Sequence, residues 1–164
     1  EVNMSRKLLK EVVEETLAKE PKALYTAIVI NENDGDMLRT KIAGLGLNPD
    51  GWLDSNISGM HGNQQLSHHM TVKIGALKPS SPLIERLDEP LSLEVLGFGR
   101  DKVSGVAAWQ VVAPAGLSAK SGVPHVTALL KTSSVKPYKA AKIKKWQKIE
   151  PFFVQATFKQ VFPV

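Results

Sequence analysis

The chain contains no cysteine. That excludes disulfides, thiolate metal sites and cysteine nucleophiles, and it suits a reducing compartment, so the cytoplasm is the expected location. No apolar run is longer than a strand, so neither a membrane-spanning helix nor a secretory signal is expected, and no membrane partner. There is no H-E-x-x-H, and the four histidines lack ligand spacing with carboxylates. A zinc hydrolase is therefore disfavoured, and no metal or cofactor is expected. No G-x-S-x-G occurs, which argues against an α/β-hydrolase. Gly116 to Gly122 superficially resembles a phosphate loop but lacks the G-x-x-x-x-G-K-[ST] order.

What is present is ordinary in bulk: 164 residues, 43% hydrophobic and 23% charged. That length can bury a real core, and the reading is an N-terminal helix over 1–22 followed by a single domain over 23–164. The first residue is Glu1 rather than Met, as in an excised domain or a chain with an added first residue. A net charge of +5 leans towards an anionic partner such as a nucleotide or RNA.

Apolar spacing with Ser5 as cap predicts an amphipathic helix over 5–19. Ala23 to Ile30 (ALYTAIVI) reads as a buried strand, closed by a turn at Asn31-Glu32-Asn33-Asp34-Gly35. A second helix is expected from Asp36 to Leu45. Residues 47–67 are rich in Gly, Asn, Ser and Asp and show no period. They read as a long loop, either a lid or a surface excursion. Strands are expected at His68 to Leu77, at Leu91 to Phe98 paired with Lys102 to Val112 through a turn at Gly99-Arg100-Asp101, and at Phe152 to Phe162. Short helices are expected from Ser81 or Pro82 to Leu87, and over 137–148 with Pro137 at its start. The fold class is α+β, strand-rich with few helices.

The pattern that bears on chemistry is a repeated His-x-Thr: His69-Met70-Thr71 and His125-Val126-Thr127. Each lies in an apolar strand-like run, HHMTVKI and PHVTALL. Side chains alternate on a strand, so each His shares a face with its Thr while Met70 and Val126 point to the core. Histidine titrates near neutrality, so one ring can accept a proton while another donates one. Phosphodiester cleavage by a neighbouring hydroxyl, or hydrolysis of a cyclic phosphate, requires that pair. A threonine hydroxyl beside each ring can donate to a non-bridging phosphate oxygen. His68, on the face of Met70 and Val72, reads as a core or cleft-edge bystander, and His61 as a solvent-exposed loop residue.

Lys131, Lys136, Lys139, Lys142, Lys144, Lys145 and Lys148 cluster after the second motif, with Tyr138 and Trp146 among them. Phosphate attraction with base stacking is one reading, and a solvated helix face is the other. Trp146 fits core packing with Ile143 and Ile149. Tyr25, Trp52, Phe98 and Trp109 are either stacking surfaces or core. Tyr25 and Tyr138 are carried forward as candidate substrate contacts.

The paired motifs and their order resemble the 2H (two-histidine) phosphoesterase superfamily. That group includes LigT-like RNA phosphodiesterases, the cyclic phosphodiesterase domains of tRNA ligases, and phage anti-CBASS enzymes that linearise cyclic oligonucleotides. The resemblance covers roughly residues 23–163: ALYTAIVI and a helix before the first motif, LSLEVLGFG and VAAWQVV between the motifs, and FFVQATFKQVF at the end. It implies a bilobal fold, two antiparallel sheets around a central cleft with peripheral helices. It implies His69 and His125 as the acid–base pair, and Thr71 and Thr127 as phosphate donors. The spacing between motifs is shorter than in LigT-like members, and Ala113 to Val123 is short for the helix often found there. The expected activity is metal-independent cleavage of a phosphodiester next to a ribose 2′-oxygen. The expected partner is a nucleotide, cyclic oligonucleotide or RNA; a non-catalytic RNA- or nucleotide-binding module is the alternative.

Overall fold

The computed structural model describes residues 22–55, 57–59 and 62–163. The helix expected over 5–19, and His61, lie outside them. The elements run β1 (Tyr25–Ile30), α1 (Glu32–Gly44), β2 (Ile57–Gly59), β3 (Gly62–Gln64), β4 (His69–Ile74), a 3-10 segment (Pro82–Arg86), β5 (Pro90–Asp101), β6 (Val106–Val111), β7 (His125–Leu130), a second 3-10 segment (Pro137–Lys142) and β8 (Trp146–Val161). Six strands form one sheet in the order β4-β1-β8-β5-β6-β7, every neighbouring pair antiparallel, and β2-β3 make a separate hairpin.

The two outermost strands, β4 and β7, are the two His-x-Thr strands. The sheet curls until these edges meet, so that it is nearly barrel-like. The Ser67 N–H donates to Thr127 O at 2.7 Å, and Lys120 N–H donates to Thr71 O at 2.9 Å. Exposed strand edges leave backbone donors and acceptors unpaired, and this closure satisfies several of them.

Period-2 alternation builds the core. Ile28, Ile30, Met70, Leu93, Val95, Trp109, Val126 and Phe158 are buried in one cluster with Leu38 and Ile42 of α1. Each such side chain contributes roughly 1.5–3 kcal/mol through removal of apolar surface from water. The expectation of a mixed fold, antiparallel and helix-poor, holds at this level. The main strands hydrogen-bond as one sheet rather than as two separate ones.

Four local expectations need correction. Asn31 to Gly35 is not a turn: Asn31 is the residue before α1, and Glu32 and Asp34 fill its first turn, favourably placed for the helix dipole. Residue types that make turns also start helices, so composition does not separate the two. Residues 137–148 are not one helix. The helical turn stops at Lys142, and Trp146 already pairs with Gly99 of β5. A Cβ on Gly99 would lie 2.5 Å from the Trp146 ring, so the missing side chain makes room for the indole and lets β8 begin there. The β5-β6 turn lies after Asp101 rather than at Gly99 to Asp101. Finally, the irregular 47–67 stretch carries the β2-β3 hairpin.

Candidate active site at the meeting edge strands

Register fixes which side chains share the face opposite the core. In β1 and its neighbours, Val29 stands opposite His69 and Thr157, and Ala27 opposite Thr71 and Lys159. Opposed residues point the same way, so His69, Thr71, Thr157 and Lys159 lie on one face. On the other edge, Gln110 stands opposite His125 and Ala108 opposite Thr127. Met70 and Val126 are fully buried in the core, as alternation requires. Both His-x-Thr pairs therefore turn away from the core, on strands whose edges touch.

The four motif side chains are half-buried. The His69 ring stacks on Tyr25, with centroids 4.4 Å apart and planes 20° apart, and the Tyr25 hydroxyl is 3.5 Å from His69 Nδ1. His68 meets His69 edge-on, Nδ1 to Nδ1, at 3.0 Å. His125 Nδ1 lies 2.8 Å from the Val123 carbonyl oxygen. A carbonyl only accepts, so His125 Nδ1 carries the proton and the Nε2 of the neutral ring is a bare acceptor.

Electrostatics keep these rings neutral. Burial first, then the charges of His68 and His125, push His69 down to about 3. Burial, then Lys159 and Arg39, hold His68 down at about 4. His125 is lowered by burial, with its bond to Val123 pulling the other way. Burial pushes Tyr25 up to about 12, so its phenol stays protonated.

A cavity of about 830 Å³ adjoins this constellation, lined in part by Val29, Asp36, Arg39, Ser67, His68 and Lys159. It touches His68 but not His69 or His125, so it flanks the pair and does not contain it. Arg39 is anchored there by bonds to Asp36 at 2.8 Å and to the Leu66 carbonyl at 2.9 Å. Tyr138 sits elsewhere. It is exposed in the second 3-10 segment and borders a smaller depression with Ser104, Ser134, Lys136 and Lys139. Lys131, Lys136, Lys142, Lys144, Lys145 and Lys148 are exposed, whereas Trp146 packs beside the buried Ile143. Trp109 and Phe98 are core, and Trp52 lies under the Arg100 guanidinium at 4.1 Å.

Sequence reading did not single out Arg39 or Lys159; it placed His68 in the core or at a cleft edge, and the ring lines the cavity. Residue 68 precedes the strand proper, so alternation does not fix where its ring points. Arg39 and Lys159 reach the site from α1 and β8, and only the strand order brings those elements together.

Among the described residues no group of three or more His, Asp or Glu side chains is arranged to hold a metal ion, and no helix is long and apolar enough to cross a membrane. No protein-family model matches the chain, and no curated protein matches it in sequence.

Proposed function

We propose that this chain is a phosphodiesterase of the two-histidine kind, cleaving a phosphodiester next to a ribose 2′-oxygen without a metal ion. One observation carries the reading: the two His-x-Thr pairs lie on the two edge strands that meet, and both face away from the core. One imidazole removes a proton from the attacking oxygen, and the other gives one to the leaving oxygen. Thr71 and Thr127 donate to the non-bridging phosphate oxygens and stabilise charge as it develops. Two proton transfers and two hydroxyl donors cover the charge changes, so no cofactor is assigned.

We read the fold as two lobes of one bent sheet. Between the pairs Val95–Phe152 and Gly97–Lys148, a single residue of β5 faces three of β8, and the β5-β6 register shifts at the same point. Such a bulge bends a sheet. β4 and β1 fall on one side of it and β7 on the other, so each lobe brings one motif. Arg39 and Lys159 beside His68 support an anionic ligand; Tyr25, stacked on His69, is assigned as a contact to it, whereas Tyr138 lies on a separate depression and is not. Substrates of this chemistry are 2′,3′-cyclic phosphate RNA ends and small or cyclic oligonucleotides.

The test is turnover of both substrate classes with analysis of the product ends, in buffer with and without chelator. His69→Ala and His125→Ala should each slow cleavage by roughly 100- to 10,000-fold and spare much of the binding. Wild-type rates in both variants would end the proposal. Binding without any turnover would leave a nucleotide-binding module, and loss of activity with chelator would point to a metal enzyme.

A further inference from the structure

We infer that His68 is a positioning residue for the acid step: it sets His69 as the proton donor to the leaving oxygen, with His125 as the base. The inference rests on the phosphodiesterase reading and assigns the roles within it.

The His125 assignment follows from its Nδ1–H being committed to the Val123 carbonyl at 2.8 Å, which leaves Nε2 as a bare acceptor. His69 is held the other way. Its Nδ1 faces two groups, the His68 Nδ1 at 3.0 Å and the Tyr25 hydroxyl at 3.5 Å. The close nitrogen–nitrogen contact is favourable only when one proton lies between the rings. His125, with its proton on Nδ1, has no Nε2 proton to give, so the acid is His69 with its proton on Nε2; the His69 Nδ1 is then bare, and the proton between the two rings lies on His68. A neutral imidazole N–H is a weak acid, but an alkoxide leaving group is a strong base, and neutral histidine serves as an electrophile in known catalysis.

His68 also supplies what His69 loses. His68 lines the 830 Å³ cavity together with Arg39, Lys159, Glu32 and Asp36. In the proposed step the attacking 2′-oxygen bonds to phosphorus and gives its proton to His125, and the bond from phosphorus to the leaving oxygen breaks. The leaving oxygen takes the Nε2 proton of His69, whose Nδ1 draws the proton of His68. As product leaves, the proton held on His125 passes through solvent to His69 Nε2 while His69 Nδ1 returns its proton to His68, so both rings regain their starting tautomers. No imidazolium forms on His69, where burial makes one costly.

The experiment compares two substrates that differ only in the leaving group: a dinucleoside monophosphate, whose leaving alkoxide needs a proton, and a nucleoside 3′-(4-nitrophenyl phosphate), whose leaving group does not. His68→Phe, which can neither give nor take a proton, should lose about 100-fold or more on the first and stay close to wild type on the second. His125→Ala should lose both. His68→Gln keeps an N–H for His69 and should show the same selectivity with a smaller loss, which decides the matter if the Phe variant does not fold. Equal losses on both substrates, or no loss on either, overturn the role given to His68. A wild-type protein that cleaves neither substrate but opens a 2′,3′-cyclic phosphate overturns the leaving-group step given to His68 and His69, and one that cleaves none of the three overturns the phosphodiesterase reading itself.

Discussion

The backbone N–H of Ser67 donates to the carbonyl oxygen of Thr127 across 2.7 Å, joining the lead-in of one motif strand to the middle of the other. Ser67 is buried, has a left-handed backbone (φ 53°), and its Oγ lies 3.3 Å from the Trp109 indole nitrogen, which can only donate. One residue thus ties the seam between the edges to the largest side chain of the core. Removing its hydroxyl strands a buried indole N–H. Ser67→Ala is expected to lose about 1–3 kcal/mol, seen as a lower urea midpoint at unchanged slope. An unshifted midpoint would show that the hydroxyl carries no weight.

The two threonines are separable from the histidines by an isosteric change. Thr71→Val and Thr127→Val keep shape and strand propensity but delete the donor. Each is expected to cut kcat by roughly 100-fold, as loss of one oxyanion donor does. Thr71→Ser and Thr127→Ser should recover most of it. If valine and serine variants behave alike, the hydroxyls do not touch the phosphate.

Both motifs and their facing were legible in the sequence because alternation on a strand is a local property, and Met70 and Val126 are buried as that rule requires. Strand order was not legible, because pairing across the sheet is non-local. Nothing local marks β4 and β7 as edges, or brings Lys159 of β8 beside His68. Trp146 illustrates the limit in the other direction. Its spacing from Ile143 and Ile149 fits a helix, but pairing with the glycine at position 99 holds it in a strand. Tertiary contact overrode a local pattern that was itself real.

The depressed imidazoles make a stability prediction with a definite sign. His68 and His69 titrate at about 4 and about 3 in the folded chain, against about 6.5 unfolded. Between those values the unfolded chain binds more protons, so stability is fully present above about pH 6.5 and is lost as pH falls towards 3. Each ring contributes at most about 1.4 kcal/mol per pH unit, and less for the half-exposed His68. Unfolding midpoints measured from pH 7 to pH 4 should fall, and His68→Gln should flatten the fall. A wild-type curve that is level across that range contradicts the burial of these rings.

Catalysis should show the complementary trend on its acid side. His125 must be neutral to accept a proton, and burial lowers its pKa while the Val123 carbonyl pulls it back only in part. In the free enzyme the base therefore stays unprotonated to a lower pH than an ordinary histidine would. The acid limb of kcat/KM is expected to bend below pH 6.5, so the rate at pH 6.5 should exceed half of its plateau. The profile of kcat/KM reports the free protein and the free substrate, and a phosphodiester stays a monoanion across this range, so the bend belongs to the protein. An inflection at or above pH 6.5, measured on the nitrophenyl ester so that proton donation to the leaving group is not limiting, would mean that the base is another group or that His125 is fully solvated.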